Sequence, residues 1–274
     1  MNDQKQKISV LMPVFNGEKY LAEAIESILR QTYRNFDFVI VDDCSTDQTA
    51  QILRKYAQQD ERVKIFTTPK NLYISGALNF GLERAETDIV ARMDADDIAL
   101  PMRLEKQLAV LNSDRSLAIV GSDIELIDEM GGTLGIRKYP RTDEALKKTM
   151  FRYSPFAHPA VMYHKSMIQE FGAYLPVRTP SEDLNLWFRV GTKYKFATVP
   201  EVLLRYRYFA DSSSNRKLRL VELKTLRIRI HAWLHQGYRP SFLDFAYNIA
   251  QATTMYLIPT AWRLRLFNLI RKYI

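Results

Sequence analysis

Three aspartates, Asp94, Asp96 and Asp97, end the β-prone run Ile89-Val90-Ala91 in the stretch DIVARMDADDIALP. Carboxylates this close repel one another and cannot all be buried without partners. At the end of a strand they point outward, to the place where open α/β sheets bind ligands. The stretch reads as a hard-cation site whose cation holds a phosphate. The alternative is a solvated acidic turn that caps the helix starting near Leu100, with Pro101 suited to a helix start. A second pair, Asp42-Asp43, ends the apolar run Phe36 to Val41. One of these carboxylates could accept a hydrogen bond from a base N–H or a ribose hydroxyl; the alternative is helix capping and turn formation. A third group, Ser181-Glu182-Asp183, opens a helical pattern. Serine is a good N-cap and acids suit a first helical turn, so a plain helix start also accounts for it.

The elements that must carry these residues follow from periodicity. Ile8 to Val14 is a nearly continuous apolar run, as expected of a strand covered on both faces. Phe15-Asn16-Gly17 makes the turn, and Glu18 to Arg30 has helical spacing. After the strand ending at Val41, Ser45, Thr46 or Asp47 can cap the next helix. Val63 to Thr67 is a third strand, Asn71 to Glu86 a turn and helix, and Ile89 to Arg92 a fourth strand. This alternation predicts an α/β fold, a mostly parallel sheet with helices on both faces. Right-handed crossovers then bring Pro13 to Asn16, Asp42-Asp43, Pro69 to Asn71 and Asp94 to Asp97 to one rim. Neither glycine cradle for phosphate is present. A dinucleotide fingerprint fails because Gly17 stands alone after the first strand. A P-loop fails because Leu82-Glu83 follow Gly81.

The chain has 274 residues, 47% hydrophobic, enough for one large domain with an appendage. One cysteine, Cys44, excludes an internal disulfide and fits a reducing compartment. The opening MNDQKQK lacks the apolar run of a signal peptide, and no run of about 20 residues is free of polar breaks, so no spanning helix is expected. The net charge of +8 is uneven: residues 216–274 hold 11 of the 39 Lys/Arg and 2 of the 31 acids. The body is therefore near neutral, which argues against a nucleic-acid groove there and for an anionic partner of the tail.

PVFNGEKYLAEAIESILRQTYRNFDFVIVDDCSTDQT, ARMDADDIALPMRLEKQ and SEDLNLWFRV, in that order, resemble three stretches of the family 2 glycosyltransferases, whose fold is called GT-A. The likeness runs over roughly residues 7–210. It implies inverting sugar transfer from a nucleotide-diphosphate sugar, most often a UDP-sugar, assisted by Mn²⁺ or Mg²⁺. By this resemblance Pro13, Val14, Phe15 and Asn16 line the base. Asp43 reads the uracil edge with Asp42 in support, and Asn71 and the Gly76 to Asn79 turn close the nucleotide pocket. Asp94 lies near ribose and metal, beside Ala95, and Asp96 is the direct metal ligand. Arg92 supports the acidic cluster or a phosphate, or is a strand-end surface arginine. Asp183 matches the general base and Glu182 orients the acceptor or that base. His158 contacts the acceptor or product phosphate, or is a structural histidine; Trp187 is a further acceptor-side candidate. Many members carry a histidine beyond the Tyr206-Arg207 pair. None lies near here, so Arg207 or a mobile 211–215 loop would cover the diphosphate, or the metal would keep an extra water.

Between these motifs, Met102 to Leu111 reads as an amphipathic helix, and 118–127 with 133–139 as a hairpin about Gly131-Gly132. Residues 1–215 are expected to form the GT-A domain. Residues 216–274 contain three apolar and basic helical segments, at 218–237, 242–258 and 261–274, broken by Gly237, Pro240 and Pro259. They suit an anionic membrane interface, or packing on the body or on a second copy in a homodimer. With the resemblance, this implies a saccharide acceptor linked to a polyprenyl diphosphate and a cytoplasmic enzyme peripheral to the inner face of the cell membrane. Two other classes stay open: a nucleotidyltransferase, which would open with a Gly-rich basic loop that residues 13–20 lack, and a non-catalytic sugar-nucleotide-binding scaffold at the membrane.

Overall fold

The computed structural model describes residues 6–175, 181–209 and 218–258. Their strands are β1 (Ile8–Val14), β2 (Phe36–Asp42), β3 (Val63–Thr67), β4 (Ile89–Arg92), β5 (Ile98–Ala99), β6 (Leu117–Ile127), β7 (Thr133–Arg137), β8 (Met162–His164) and β9 (Lys195–Arg207). The helices are α1 (Leu21–Leu29), α2 (Thr49–Gln59), α3 (Tyr73–Arg84), α4 (Arg103–Leu111), α5 (Asp143–Thr149), α6 (Lys165–Gln169), α7 (Glu182–Val190), α8 (Leu218–His235) and α9 (Phe242–Leu257).

Among the described residues these strands make one nine-stranded sheet in the order β3-β2-β1-β4-β8-β6-β9-β5, with β7 beside β6. The parallel expectation holds for β1 to β4, whose residues in β1, β2 and β4 are buried throughout. Beyond β4 the sheet is mixed. β8 runs antiparallel to β4 and β6, β6 is parallel to β9, and β6 and β7 form the expected hairpin. The short β8 gives little periodicity from which to read that reversal.

The reversal is pinned by polar side chains of α4. Arg103 and Gln107 are fully buried. Arg103 donates to the Arg92 and Val161 carbonyls, and Gln107 Nε2 to the Val120 and Ala160 carbonyls at 3.0 and 2.8 Å. Buried donors that find acceptors in this way hold strand ends in register at little net cost. On the other face, α3 lies close on β1 and β2. A Cβ at Gly81 would stand 2.3 Å from Leu11 Cδ1 and 2.9 Å from Val41 Cγ2. This glycine, half of the failed P-loop spacing, is thus a contact point between helix and sheet.

The tail helices pack on the body. Ala232 of α8 is buried in the core cluster that contains Trp187 and Phe188, and Tyr238 Oη donates to the Phe188 carbonyl at 3.1 Å. Arg229 of α8 is buried against the body, with Nε on the Met150 carbonyl at 3.0 Å, as the packing alternative for the tail requires. The 211–215 loop and the 261–274 segment lie outside the described residues.

Gly81→Ala tests the close approach of α3. Overpacking costs about 1–3 kcal/mol against a helix-propensity gain of up to about 1 kcal/mol. Thermal unfolding is expected to show a destabilised variant; a more stable one would refute the contact.

Candidate active site

The rim predicted from the strand ends is built by cross-links between its loops. Asp43 N donates to the Val14 carbonyl at 2.8 Å. Asn16 N bonds Ser45 Oγ, Asn16 Oδ1 accepts from Thr46 N, and Gly17 N bonds Thr49 Oγ1, at 2.9, 2.8 and 2.9 Å. Ser45, Thr46 and Asp47 therefore tie two loops together; the N-cap of α2 is Gln48, with no side-chain cap bond. A Cβ on Gly17 would lie 3.9 Å from Ala95, which places the first loop against the acidic one. Pro13 and Val14 are buried and support this floor, while Phe15 is 50% exposed and offers a flat apolar face at its edge.

Asp42 and Asp43 have separated roles. Asp42 Oδ1 accepts from Ser45 N at 3.0 Å and forms the turn. Asp43 is buried, and its Oδ1 accepts from Thr68 Oγ1 and Leu72 N, both at 2.8 Å. Those two bonds fix the carboxylate plane and leave Oδ2 outside them. Asn71 Oδ1 accepts from Tyr73 N at 3.0 Å and shapes the turn before α3. Gly76 and Asn79 do not lie in a turn: both are inside α3. Asn79 pairs with Tyr174, donating to its carbonyl at 2.6 Å and accepting from its N–H at 3.1 Å, so its amide is committed to the protein.

The acidic loop after β4 is crowded as its spacing requires. Asp94, Asp96 and Asp97 can each present an oxygen such that the three atoms lie within 4.8 Å of one another. Burial, and then the charge of Asp94, push the Asp96 carboxyl up to about 7. Asp97 is buried and pushed well above the carboxylate range by burial and by Asp96. Its Oδ1 accepts from Arg207 N at 2.8 Å, and its Oδ2 is buried with no hydrogen-bond partner. Clustered oxygen donors, one of them orphaned, fit a hard divalent cation such as Mn²⁺ or Mg²⁺.

Two arginines steady this loop from beneath. Arg92 is a buried arginine, not a surface one, and its Nη2 meets Asp94 Oδ1 at 2.6 Å. Arg207 is spent on the protein. Its guanidinium donates to the carbonyls of Asp96, Asp128 and Glu129 and to Glu23 Oε2, and it stacks 4.3 Å from the Tyr20 ring centroid. That is the physical reason it is a scaffold for the acidic loop rather than a free hand for a diphosphate.

The second carboxylate pair sits across Arg92. Glu182 and Asp183 open α7, and both are raised, chiefly by burial. Glu182 adds to the shift at Asp183, while His158 and Arg92 oppose it. Ser181 does not cap this helix. It adopts a left-handed φ of 93°, makes no side-chain cap bond, and has its Oγ 3.3 Å from Thr225 Oγ1. His158 is nearly buried. Its Nε2 is 2.9 Å from Tyr174 Oη, and its Nδ1 is 3.5 Å from Glu182 Oε1. Burial and the Arg92 charge lower it to about 3, so it is neutral at ordinary pH. Trp187 is fully buried, edge-on to Phe156 and His158 at 5.8 Å each, and so is a core residue rather than an acceptor platform.

Tyr163 and Tyr174, absent from the sequence-based site, complete a buried polar layer with Arg92, His158 and Glu182. Nothing in their local sequence marks them; only the antiparallel placement of β8 beside β4 brings Tyr163 opposite Val90. Backbone strain gathers at the same rim. Of the five described non-glycine residues with positive φ, Asn16, Cys44, Tyr73 and Ser181 belong to site loops, as strain held for function often does.

Comparison with known proteins agrees with this geometry. The family model described as Glycosyl transferase family 2 matches residues 9–172. The chain is 35% identical over 252 residues to the O-antigen biosynthesis glycosyltransferase WbnJ of Escherichia coli, covering 89% of this chain and 96% of that one. It is 28% identical over 279 residues, the whole of both chains, to the UDP-Gal:alpha-D-GlcNAc-diphosphoundecaprenol beta-1,3-galactosyltransferase of Escherichia coli. Two solved structures share the fold. S. aureus TarS 1-349 in complex with UDP-GlcNAc has a TM-score of 0.65 at 19% identity, over 91% of this chain and 80% of that one. The mannosyltransferase PcManGT of Pyrobaculum calidifontis, in complex with GDP-Man and Mn²⁺, has a TM-score of 0.63 at 15% identity, over 98% and 81%. With a GT-A-type sheet and the family match over more than half its length, the chain belongs to glycosyl transferase family 2.

Proposed function

We propose that this glycosyltransferase is inverting and metal-dependent, and moves a sugar from a UDP-sugar to a hydroxyl of a saccharide carried on a polyprenyl diphosphate, in surface-polysaccharide synthesis. The observation that carries this reading is the field of one buried guanidinium, Arg92. It touches Asp94 of the cation-type cluster and acts on Glu182 and Asp183 at the head of α7. In this reading the donor end and the acceptor end are two sides of one site. The relatives support the substrates: the full-length galactosyltransferase relative carries a UDP-sugar and a diphosphoundecaprenol acceptor in its name. Such an acceptor puts the enzyme at the inner face of the membrane, on the side where nucleotide sugars are made.

In this mechanism Phe15 stacks on the base and Asp43 Oδ2 accepts from its N–H. Asp94, Asp96 and Asp97 would hold the cation, which would supply charge to offset that of the departing diphosphate. Inversion is a single in-line displacement. The acceptor hydroxyl attacks C1 as the C1–O bond to the diphosphate breaks, and Asp183 takes the hydroxyl proton. Desolvation raises Asp183 and so makes it a stronger base than a solvated aspartate. Glu182, 3.5 Å from the neutral His158, orients it, and Tyr174 holds that histidine by its other ring nitrogen. A scaffold that merely binds sugar nucleotides would not need Asp183, which gives the test.

Asp183→Asn is expected to lower turnover by about 10²–10⁴, the worth of a general base, while UDP binding in Mn²⁺ is retained. Wild-type turnover in that variant would reject the assignment. Screening nucleotide sugars by thermal shift with Mn²⁺ identifies the donor, since a ligand at 100 times its Kd stabilises by about 2.7 kcal/mol. Inversion is checked by NMR: the product anomer must be opposite to the donor's.

Metal binding should also depend on pH with a definite sign. In the metal-free chain Asp96 holds a proton below about 7. A cation must displace that proton, and Asp97 beside it is raised as well, so apparent Mn²⁺ affinity should fall as pH drops from 8 to 6, by about tenfold or more over that range. Calorimetric titration at the two pH values would contradict this by giving equal affinities.

A further inference from the structure

Helix α9 is built inside out. Its polar residues at 244, 248 and 251 face the protein. Asp244 pairs with Arg152 at 2.8 Å and closes a capping box with Ser241. Asn248 Nδ2 donates to the Phe151 carbonyl at 2.8 Å, and Arg229 Nη1 reaches Asn248 and Gln251, each at 3.0 Å. Ordinary surface helices turn the apolar stripe inward. Here the exposed residues include Phe242, Leu243, Phe245, Ile249 and Leu257, which with three smaller exposed residues form a single helical face. Phe242 is 84% exposed, Ile249 65% and Leu257 76%. Helix α8 extends the face with Ile230, Trp233 and Leu234, and the Trp233 ring meets Phe245 at 4.9 Å.

Charge distinguishes what this face can meet. The stripe on α9 exposes no charged side chain, because the one ionisable group of that helix facing a partner acid or base, Asp244, is buried. The basic residues stand beside it. Arg227 is exposed one turn before Ile230, and Arg239 is exposed just ahead of Ser241. In sequence, residues 259–274 add four more Lys/Arg and no acid. No helix among the described residues is long and apolar enough to cross a membrane. An aromatic-rich apolar stripe with exposed arginines beside it matches the acyl-headgroup boundary of an anionic bilayer, where Trp and Phe sit shallowly and Lys/Arg meet lipid phosphates.

We infer that the outer face of α8–α9 seats the enzyme on an anionic lipid surface, with α9 lying in the interface plane. The inference deepens the lipid-linked acceptor reading and rests on it for its purpose, but it is tested without catalysis. The full chain is mixed with vesicles of phosphatidylcholine alone or with phosphatidylglycerol added, and floated on a density gradient. Wild type is expected to float with the anionic vesicles and to stay down with the neutral ones. The double substitution Phe242→Ser/Ile249→Ser alters exposed side chains and should reduce the bound fraction at least about tenfold, with unchanged thermal unfolding. Its transfer to a water-soluble saccharide acceptor should match wild type. Wild type that stays off anionic vesicles, or a variant that floats equally, overturns the inference. So does a lipid-free wild-type dimer, by sedimentation, that the same substitutions dissociate, since a second copy would then cover the face. A chain that floats but transfers no sugar would refute the proposed function alone.

Discussion

Mutual repulsion among carboxylates at the mouth of the sheet is the constraint to which the surrounding structure answers. Asp94, Asp96 and Asp97 present oxygens within 4.8 Å of one another, and Glu182 and Asp183 add two more acids nearby. Water relieves this only in part, since Asp97 and Glu182 are buried while Asp94 and Asp96 are half-buried. The compensation is positive charge placed under the loops. Arg92 pairs with Asp94, and Arg207 ties Asp96 and Asp97 down by backbone bonds. Burial first, and then the repulsion left uncompensated, push the Asp96 and Asp97 carboxyls up.

The same arginines explain why distant segments act together. Arg207 is the last residue of β9, yet it reaches Glu23 of α1 and the turn carbonyls at 128 and 129. Arg103 of α4 holds the Arg92 carbonyl, so the strand that carries the acidic loop is fixed where the sheet changes direction. Left-handed residues at Asn16, Cys44, Tyr73 and Ser181 then turn the loops into the mouth. Strain of about 1–3 kcal/mol at such a residue persists only where surrounding bonds over-determine it, and the cross-links from Asn16 to Ser45 and Thr46 do so.

The parallel half of this fold is legible in the sequence because parallel strands buried on both faces are written as unbroken apolar runs. The bounds of β3 and β4 follow directly from Val63 to Thr67 and Ile89 to Arg92. The acidic motifs are legible because their chemistry is local. Side chains whose role depends on long-range placement are not. Arg207 looks like a phosphate ligand and is a buried strut. Asn79 looks like a pocket residue and holds Tyr174. Trp187 looks like a sugar platform and fills the core. Ser181 looks like a helix cap and is a strained hinge into α7. Periodicity shows that α9 is amphipathic, but not which side faces in. That is decided by Arg152 and Arg229, one of them outside the tail altogether.

In the proposed function the crowded carboxylates serve a cation and a nucleotide diphosphate jointly. Isothermal titration of UDP into the wild-type chain, in Mn²⁺ and then in chelator, measures that dependence directly. The structure predicts clear binding with Mn²⁺ and a loss of at least about tenfold without it, because the diphosphate would then face uncompensated acids. Equal UDP affinity in the two buffers would contradict it.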